Sequence, residues 1–165
     1  MPGALNLTKP AHLLAKLEYE LQNLAADHFN SYAAINALRD AFHLREWIWH
    51  GCLEHDPALQ VVIVGASGDE GSWRAWINQQ FPDFPIIRDL CNGSKHFEDD
   101  PKTNVQATSR AGYGSPLYAY GSGLGYGIGG FFVHVGAGRF ISVANLIERV
   151  LGFWADLFKQ FPRLG

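Results

Sequence analysis

Residues 32–54 carry two apolar rows on one predicted helix. Ile35, Leu38, Phe42 and Trp49 form the first, and Ala34, Ala37, Ala41, Leu44 and Ile48 the second. Recurrence at steps of three and four is the signature of an amphipathic helix. An arc this wide cannot be covered by a single neighbour, so the segment is expected at the centre of a helical bundle. The remaining strip holds Asn36, Arg39, His43, Glu46 and His50.

The flanking pattern supplies the neighbours. Leu13, Leu14, Leu17, Leu21 and Leu24 make one stripe over residues 11–28, with Pro10 suited to the first turn. Asp27-His28-Phe29-Asn30-Ser31 breaks the chain, and Asn30 or Ser31 can cap the next helix. The first two helices are therefore expected to form an antiparallel hairpin. Residues 57–71 are expected as a connection, in which Val61-Val62-Ile63-Val64 is a short strand or an apolar tuck. Gly65, Gly68 and Gly71 do not make a phosphate loop. The Gly-Lys-Ser/Thr ending is missing, and Asp69 and Glu70 would repel a phosphate. Ser72 is expected to cap a short helix over 73–81. Pro85 opens a further helix that runs to Phe97, ahead of Glu98-Asp99-Asp100-Pro101.

The character changes at 103–141. From Ala111 to Gly138 there is no Asp, Glu, Lys or Arg, and ten of those 28 residues are glycine. A membrane helix is rejected, because each Gly costs about 1 kcal/mol relative to Ala. Residues 126–141 predict a hairpin, and 105–108 and 117–120 are candidate further strands. Ser142 is expected to cap a final helix over 143–161, whose face of Leu146, Ile147, Val150, Leu151, Phe153, Trp154, Leu157, Phe158 and Phe161 should join the bundle. The expected fold class is mainly α (α+β). An antiparallel bundle, 10–98, precedes a Gly/Tyr-rich hairpin or small sheet, 103–141. A C-terminal helix, 142–161, completes a single domain over 1–165.

Thirteen Lys+Arg against 16 Asp+Glu give a net charge of −3. That excludes a protein that coats nucleic acid by charge alone, though not a local basic patch. Cys52 and Cys91 are expected as buried free thiols. The N-terminus has no basic region followed by an apolar one, so a cytoplasmic setting without a membrane span is expected.

Three groups of residues can carry chemistry. On a helix over 85–97, Asp89 and His96 lie nearly in register, Asn92 is within a turn of both, and Arg88 and Lys95 share an adjacent line. Metal-independent RNA cleavage needs a base, an acid and a cation. His96 can serve in proton transfer, Arg88 or Lys95 can hold phosphate, and Asn92 can orient the nucleotide. The alternative is a hydrogen-bonded Asp89–Asn92–His96 cluster that orders the bundle. His43, Glu46 and His50 share one helical face at a spacing that can hold a divalent metal, but no fourth ligand is identifiable, so no metal or cofactor is assigned. Arg39, His43 and Glu46 can also face Asp89, Asn92 and His96 across the bundle as one binding groove. In the glycine-rich stretch, Tyr118, Tyr120 and Tyr126 can stack on bases or meet a protein partner, and the scarcity of basic residues there favours the protein.

The run Arg88-Asp89 followed by His96 resembles the signature of the HEPN superfamily, helical-bundle proteins that include many defence and toxin ribonucleases. Its pattern is Arg, a polar residue, a few variable positions, then His. Asn92-Gly93-Ser94-Lys95-His96-Phe97, with Ala41-Phe42-His43-Leu44-Arg45-Glu46-Trp47-Ile48-Trp49 upstream, is similar more specifically to an uncharacterised bacterial and phage family of small helical domains. The resemblance covers roughly residues 11–97. Seven residues separate Arg88 from His96, where four to six are usual, which sets the two about 80° apart on an ideal helix. The resemblance implies a small protein of a bacterial or phage conflict system that binds RNA or a protein, with metal-independent endoribonuclease activity through Arg88, Asn92 and His96, and a homodimer pairing two such helices. The alternative it leaves is a non-catalytic protein-binding module, such as a phage inhibitor of host defence or an accessory subunit.

Overall fold

The sequence begins its first helix at a proline and breaks it at Asp27, and the structure does the same. The computed structural model describes residues 7–93, 104–105, 107–111, 129–136 and 139–165. Helix α1 spans Pro10–Ala26 and α2 Ser31–Ile48. Asn30 caps α2, its side-chain oxygen accepting from the Ala33 amide at 3.0 Å. Asn30→Ala is expected to lower stability by about 1 kcal/mol, read as a shift in urea midpoint at constant slope. Contacts between the first two helices pair Lys16 with Asp40 and Glu20 with Asn36, a descending order that makes the hairpin antiparallel.

After Ile48 the coil widens into a π-helical turn, Trp49–Leu53, closed by the Glu54 amide on the Trp49 carbonyl at 2.8 Å. The continuous helix expected through 54 therefore changes winding at 49. Residues 57–71 are a correction too. Pro57–Val64 is a helix, α3, neither strand nor loop. Asp56 caps it through the Leu59 amide at 2.9 Å, Pro57 fills its first turn, and Gly65 ends it at φ 89°. Strong start and stop signals on both sides outweigh the β preference of three valines and an isoleucine. Buried Gln60 locks the far end, donating to the Leu53 carbonyl at 2.7 Å and accepting from the Gly68 amide at 2.9 Å.

Helix α4, Glu70–Gln80, starts three residues before the expected position. Its cap is Asp69, which accepts from both the amide and the hydroxyl of Ser72. Helix α5 is Phe84–Gly93. The expected continuation to Phe97 lies outside the described residues, as does the candidate strand at 117–120. Strands β1 (Ala107–Ala111), β2 (Gly130–His134) and β3 (Phe140–Ser142) form an antiparallel sheet in the order β1-β2-β3. Ala107 faces His134, and Val133 faces Ile141. The C-terminal helix α6, Val143–Gln160, follows at once, with Ser142 as its cap. The architecture is thus mainly helical, with a small three-stranded sheet ahead of α6.

One apolar cluster draws on all six helices and on β2 and β3. Two tryptophans fasten it to α2. Trp73 of α4 donates to the Arg45 carbonyl and Trp154 of α6 to the Ala41 carbonyl, each at 3.0 Å. These carbonyls lie one turn apart, so α2 is the central helix, as its apolar arc requires. The sheet meets the α1–α2 loop, where Phe29 packs edge-on to Phe131 and under the Arg110 guanidinium.

Candidate functional site

The polar side of α2 is built from inside the hairpin outward. Lys16 of α1 sits between two buried carboxylates, donating to Asp40 at 2.6 Å and Glu20 at 3.3 Å. Asn36 also donates to Glu20, at 3.3 Å. Burial pushes the Asp40 carboxyl above the usual carboxylate range, more than its bond to Lys16 draws it down. Burial lowers the Lys16 ammonium, but the two carboxylates outweigh this and raise it.

One turn further on, three side chains are linked in a row. Arg45 is buried, its guanidinium laid over the Phe42 ring at 4.7 Å. Its Nη2 donates to Oε1 of Glu46 at 2.8 Å, and Glu70 of α4 stands 3.8 Å away. The other Glu46 oxygen lies 3.0 Å from Nδ1 of His43. Burial alone would raise the Glu46 carboxyl, yet the bond from His43 and the charge of Arg45 hold it below the usual range. An ionised Glu46 accepts a hydrogen bond from Nδ1–H of His43, and a neutral imidazole in that bond keeps its lone pair on Nε2. The His43 side chain is 33% exposed.

His50 does not join this group. It pairs with Glu54 at 2.9 Å from within the π-turn, where the winding differs from that of α2. Among the described residues no three His, Cys, Asp or Glu side chains stand together as a metal site. Arg39 is exposed and makes no hydrogen bond or ion pair among the described residues.

Helix α5 packs on α2, with Phe84 stacked on Phe42 at 6.1 Å. One turn beyond Phe84 lies Arg88, whose Nε and Nη2 both reach Oδ1 of Asp89, at 2.8 and 2.7 Å. Oδ2 of Asp89 accepts from the amide and side chain of Asn104, at 2.6 and 2.8 Å. The Asp89 side chain is only 6% exposed. Burial would raise its carboxyl, but the Asn104 and Arg88 bonds prevail and lower it. Asp89 thus pins the chain fifteen residues downstream, and among the described residues its bonds go to Arg88 and Asn104 and not to Asn92. Asn92 is exposed. Lys95, His96, Tyr118, Tyr120 and Tyr126 lie outside the described residues. No hydrogen bond among the described residues joins Arg39, His43 or Glu46 to Asp89 or Asn92, and His96, the remaining member of the expected groove, lies outside them.

Lys16, Glu20, Asp40 and Arg45 were not singled out from the sequence. A signal was present: Glu20 falls in the row Leu13, Leu17, Glu20, Leu24, where every other member is buried and apolar. A charge at a core position requires a partner. Comparison with protein-family models, with curated proteins and with solved structures found no match. Among the described residues no helix is long and apolar enough to cross a membrane.

Proposed function

We propose that this chain is a HEPN-like cytoplasmic protein of a bacterial or phage conflict system that binds RNA and cleaves it without a metal. The observation that supports this is the pairing of chemistries on two packed helices. Helix α5 presents a guanidinium and an amide one turn apart, Arg88 and Asn92, and α2 presents an imidazole oriented by a carboxylate. Cation, polar orienter and proton-transfer group are the parts such a reaction uses. The free thiol of Cys52 suits a reducing compartment.

The test is cleavage of single-stranded RNA by the purified chain in EDTA. Cleavage is expected, and His96→Ala should lower it by roughly 100-fold or more, the usual yield of one proton-transfer group. Absence of cleavage by the unaltered protein overturns the reading, and equal cleavage by both proteins removes His96 from it.

A second reading has its own support. Lys16, Arg45, Arg74, Arg88, Arg139, Arg149 and Arg163 all stand in ion pairs, which leaves little free positive charge among the described residues for a polyanion. Tyr19 and Tyr32 on the α1–α2 hairpin are 61% and 83% exposed. Exposed tyrosines with neutralised charge fit a non-catalytic protein-binding module. An inert wild type in the RNA assay selects this reading.

A further inference from the structure

The outward face of α3 is apolar from end to end. The exposed residues from Pro57 to Ala66 are Pro57, Ala58, Val61, Val62, Gly65 and Ala66, and the two valines are 48% and 66% exposed. The only polar side chain in that span, Gln60, is buried and spent on the Leu53 carbonyl and the Gly68 amide. Steps of three and four set Ala58, Val61, Val62 and Gly65 side by side. Single apolar residues on a surface need no cause, whereas a contiguous apolar face rimmed by charge marks a contact site. We propose that this face docks another protein, through an amphipathic helix whose apolar side is flanked by lysine or arginine. It uses none of the residues invoked for RNA and stands whether or not the chain cuts it.

Shape and charge both point to that occupant. Asp56 caps α3, Gly65 ends it at φ 89°, and Gln60 ties it to the segments on either side. The face is therefore ordered before anything binds, and binding loses little conformational freedom there. Ala58, Gly65 and Ala66 are small beside the valines, so a second helix can lie close, with Val61 and Val62 set between its side chains.

The rim is acidic at both ends. Glu54 precedes α3 and, among the described residues, faces only the imidazoles of His50 and His55. Asp69 follows α3, accepts from Ser72, and has no cationic partner among the described residues. Asp56 and Glu70 are offset by Arg163 and Arg74, so the charge left over is negative. A second copy packing α3 on α3 would set acid against acid in either direction, and an anionic lipid surface would be repelled. A helix with cations beyond both ends of its apolar stripe gains at each.

The experiment selects random-sequence peptides of about four helical turns on the full chain, with Val61→Ser/Val62→Ser as the counter-selection and urea unfolding of each variant. Enriched peptides should carry apolar residues at steps of three and four with Lys or Arg on both sides. Their Kd should rise roughly tenfold or more on the double serine variant. Asp69→Asn with Glu54→Gln should weaken them a few-fold and flatten the dependence on salt, while Asn keeps the α4 cap. Urea midpoints should stay near wild type, because both valines are exposed. No enrichment over the counter-selection, enriched peptides without an excess of basic residues, or equal binding to the serine variant overturns the proposal. So does a dimer in sedimentation that the serine variant dissociates, which makes the occupant a second copy. Flotation with phosphatidylcholine vesicles that the same variant abolishes makes it lipid, and overturns the proposal too.

Discussion

Lys16→Met is expected to lower the unfolding free energy by about 2–3 kcal/mol, with a fall in Tm of roughly 5–10 °C for a chain of this size. Lys16 is the ammonium between Asp40 and Glu20, whose side chains are nearly buried against the α1–α2 hairpin. Removing it leaves two carboxylates facing each other in a site with little water. A fully buried pair broken this way costs about 3–5 kcal/mol, and the lower figure reflects the partial exposure of Lys16 itself. Adding Asp40→Asn to Lys16→Met should recover part of the loss, because only one carboxyl then remains in the site. A loss below about 0.5 kcal/mol in urea unfolding, the scale of an exposed pair, would mean that water already solvates the two acids.

The same cluster sets a pH dependence. The folded carboxyl of Asp40 lies above its unfolded value, so the folded chain holds that proton more tightly. The stability linked to it is fully present below about pH 4, the unfolded Asp value, and is lost as pH rises through the folded value. Asp40→Asn removes this dependence. Measured by urea at pH 4 and pH 7, wild type should gain on Asp40→Asn at the lower pH. Glu46, Asp69 and Asp89 act oppositely, since their folded carboxyls are lowered and their contribution falls away on acidification. The difference between wild type and Asp40→Asn isolates the one carboxyl of contrary sign among the described residues. A difference that is flat, or larger at pH 7, sinks the assignment.

Much of the architecture was legible because it rests on local rules. The apolar rows of α1, α2 and α6, the caps at Asn30 and Ser142 and the turn toward β structure beyond 103 each depend on neighbours a few residues away. Where two local rules compete, the outcome is set by summed weight. At 57–64 the Asp-Pro start and the Gly65 stop govern a segment whose side chains alone favour a strand. The π-turn after Ile48 left no mark in the apolar spacing, and Trp49 and Leu53 are both buried within it. The site was legible only as a list of polar positions on α2 and α5. That Lys16 crosses to Asp40, and that Asp89 reaches Asn104 rather than Asn92, depends on distances between elements far apart in the chain.

Trp154 shows the same limit in energetic form. The chain has five tryptophans, and nothing in their local sequence ranks them. The structure does. Trp154 is fully buried, sits edge-on to Phe84, lies against Trp73 and Phe153, and spends its one donor on the Ala41 carbonyl. It therefore joins α6 to α2, α4 and α5 at once. Trp154→Ala should cost about 3–5 kcal/mol through the cavity left behind, a large share of the roughly 5–15 kcal/mol typical of a domain. Trp154→Phe keeps most of the ring volume and loses the hydrogen bond, so its cost should be markedly smaller. Trp76 is the comparison. It stacks on Trp73 at 5.2 Å but is only partly buried, and no hydrogen bond from its indole N–H is found among the described residues. Trp76→Ala should cost less than Trp154→Ala by about 2 kcal/mol, since less area leaves water and the space can refill from solvent. Equal midpoints for the two alanine variants in urea would show that α6 is not fastened to α2 through this indole.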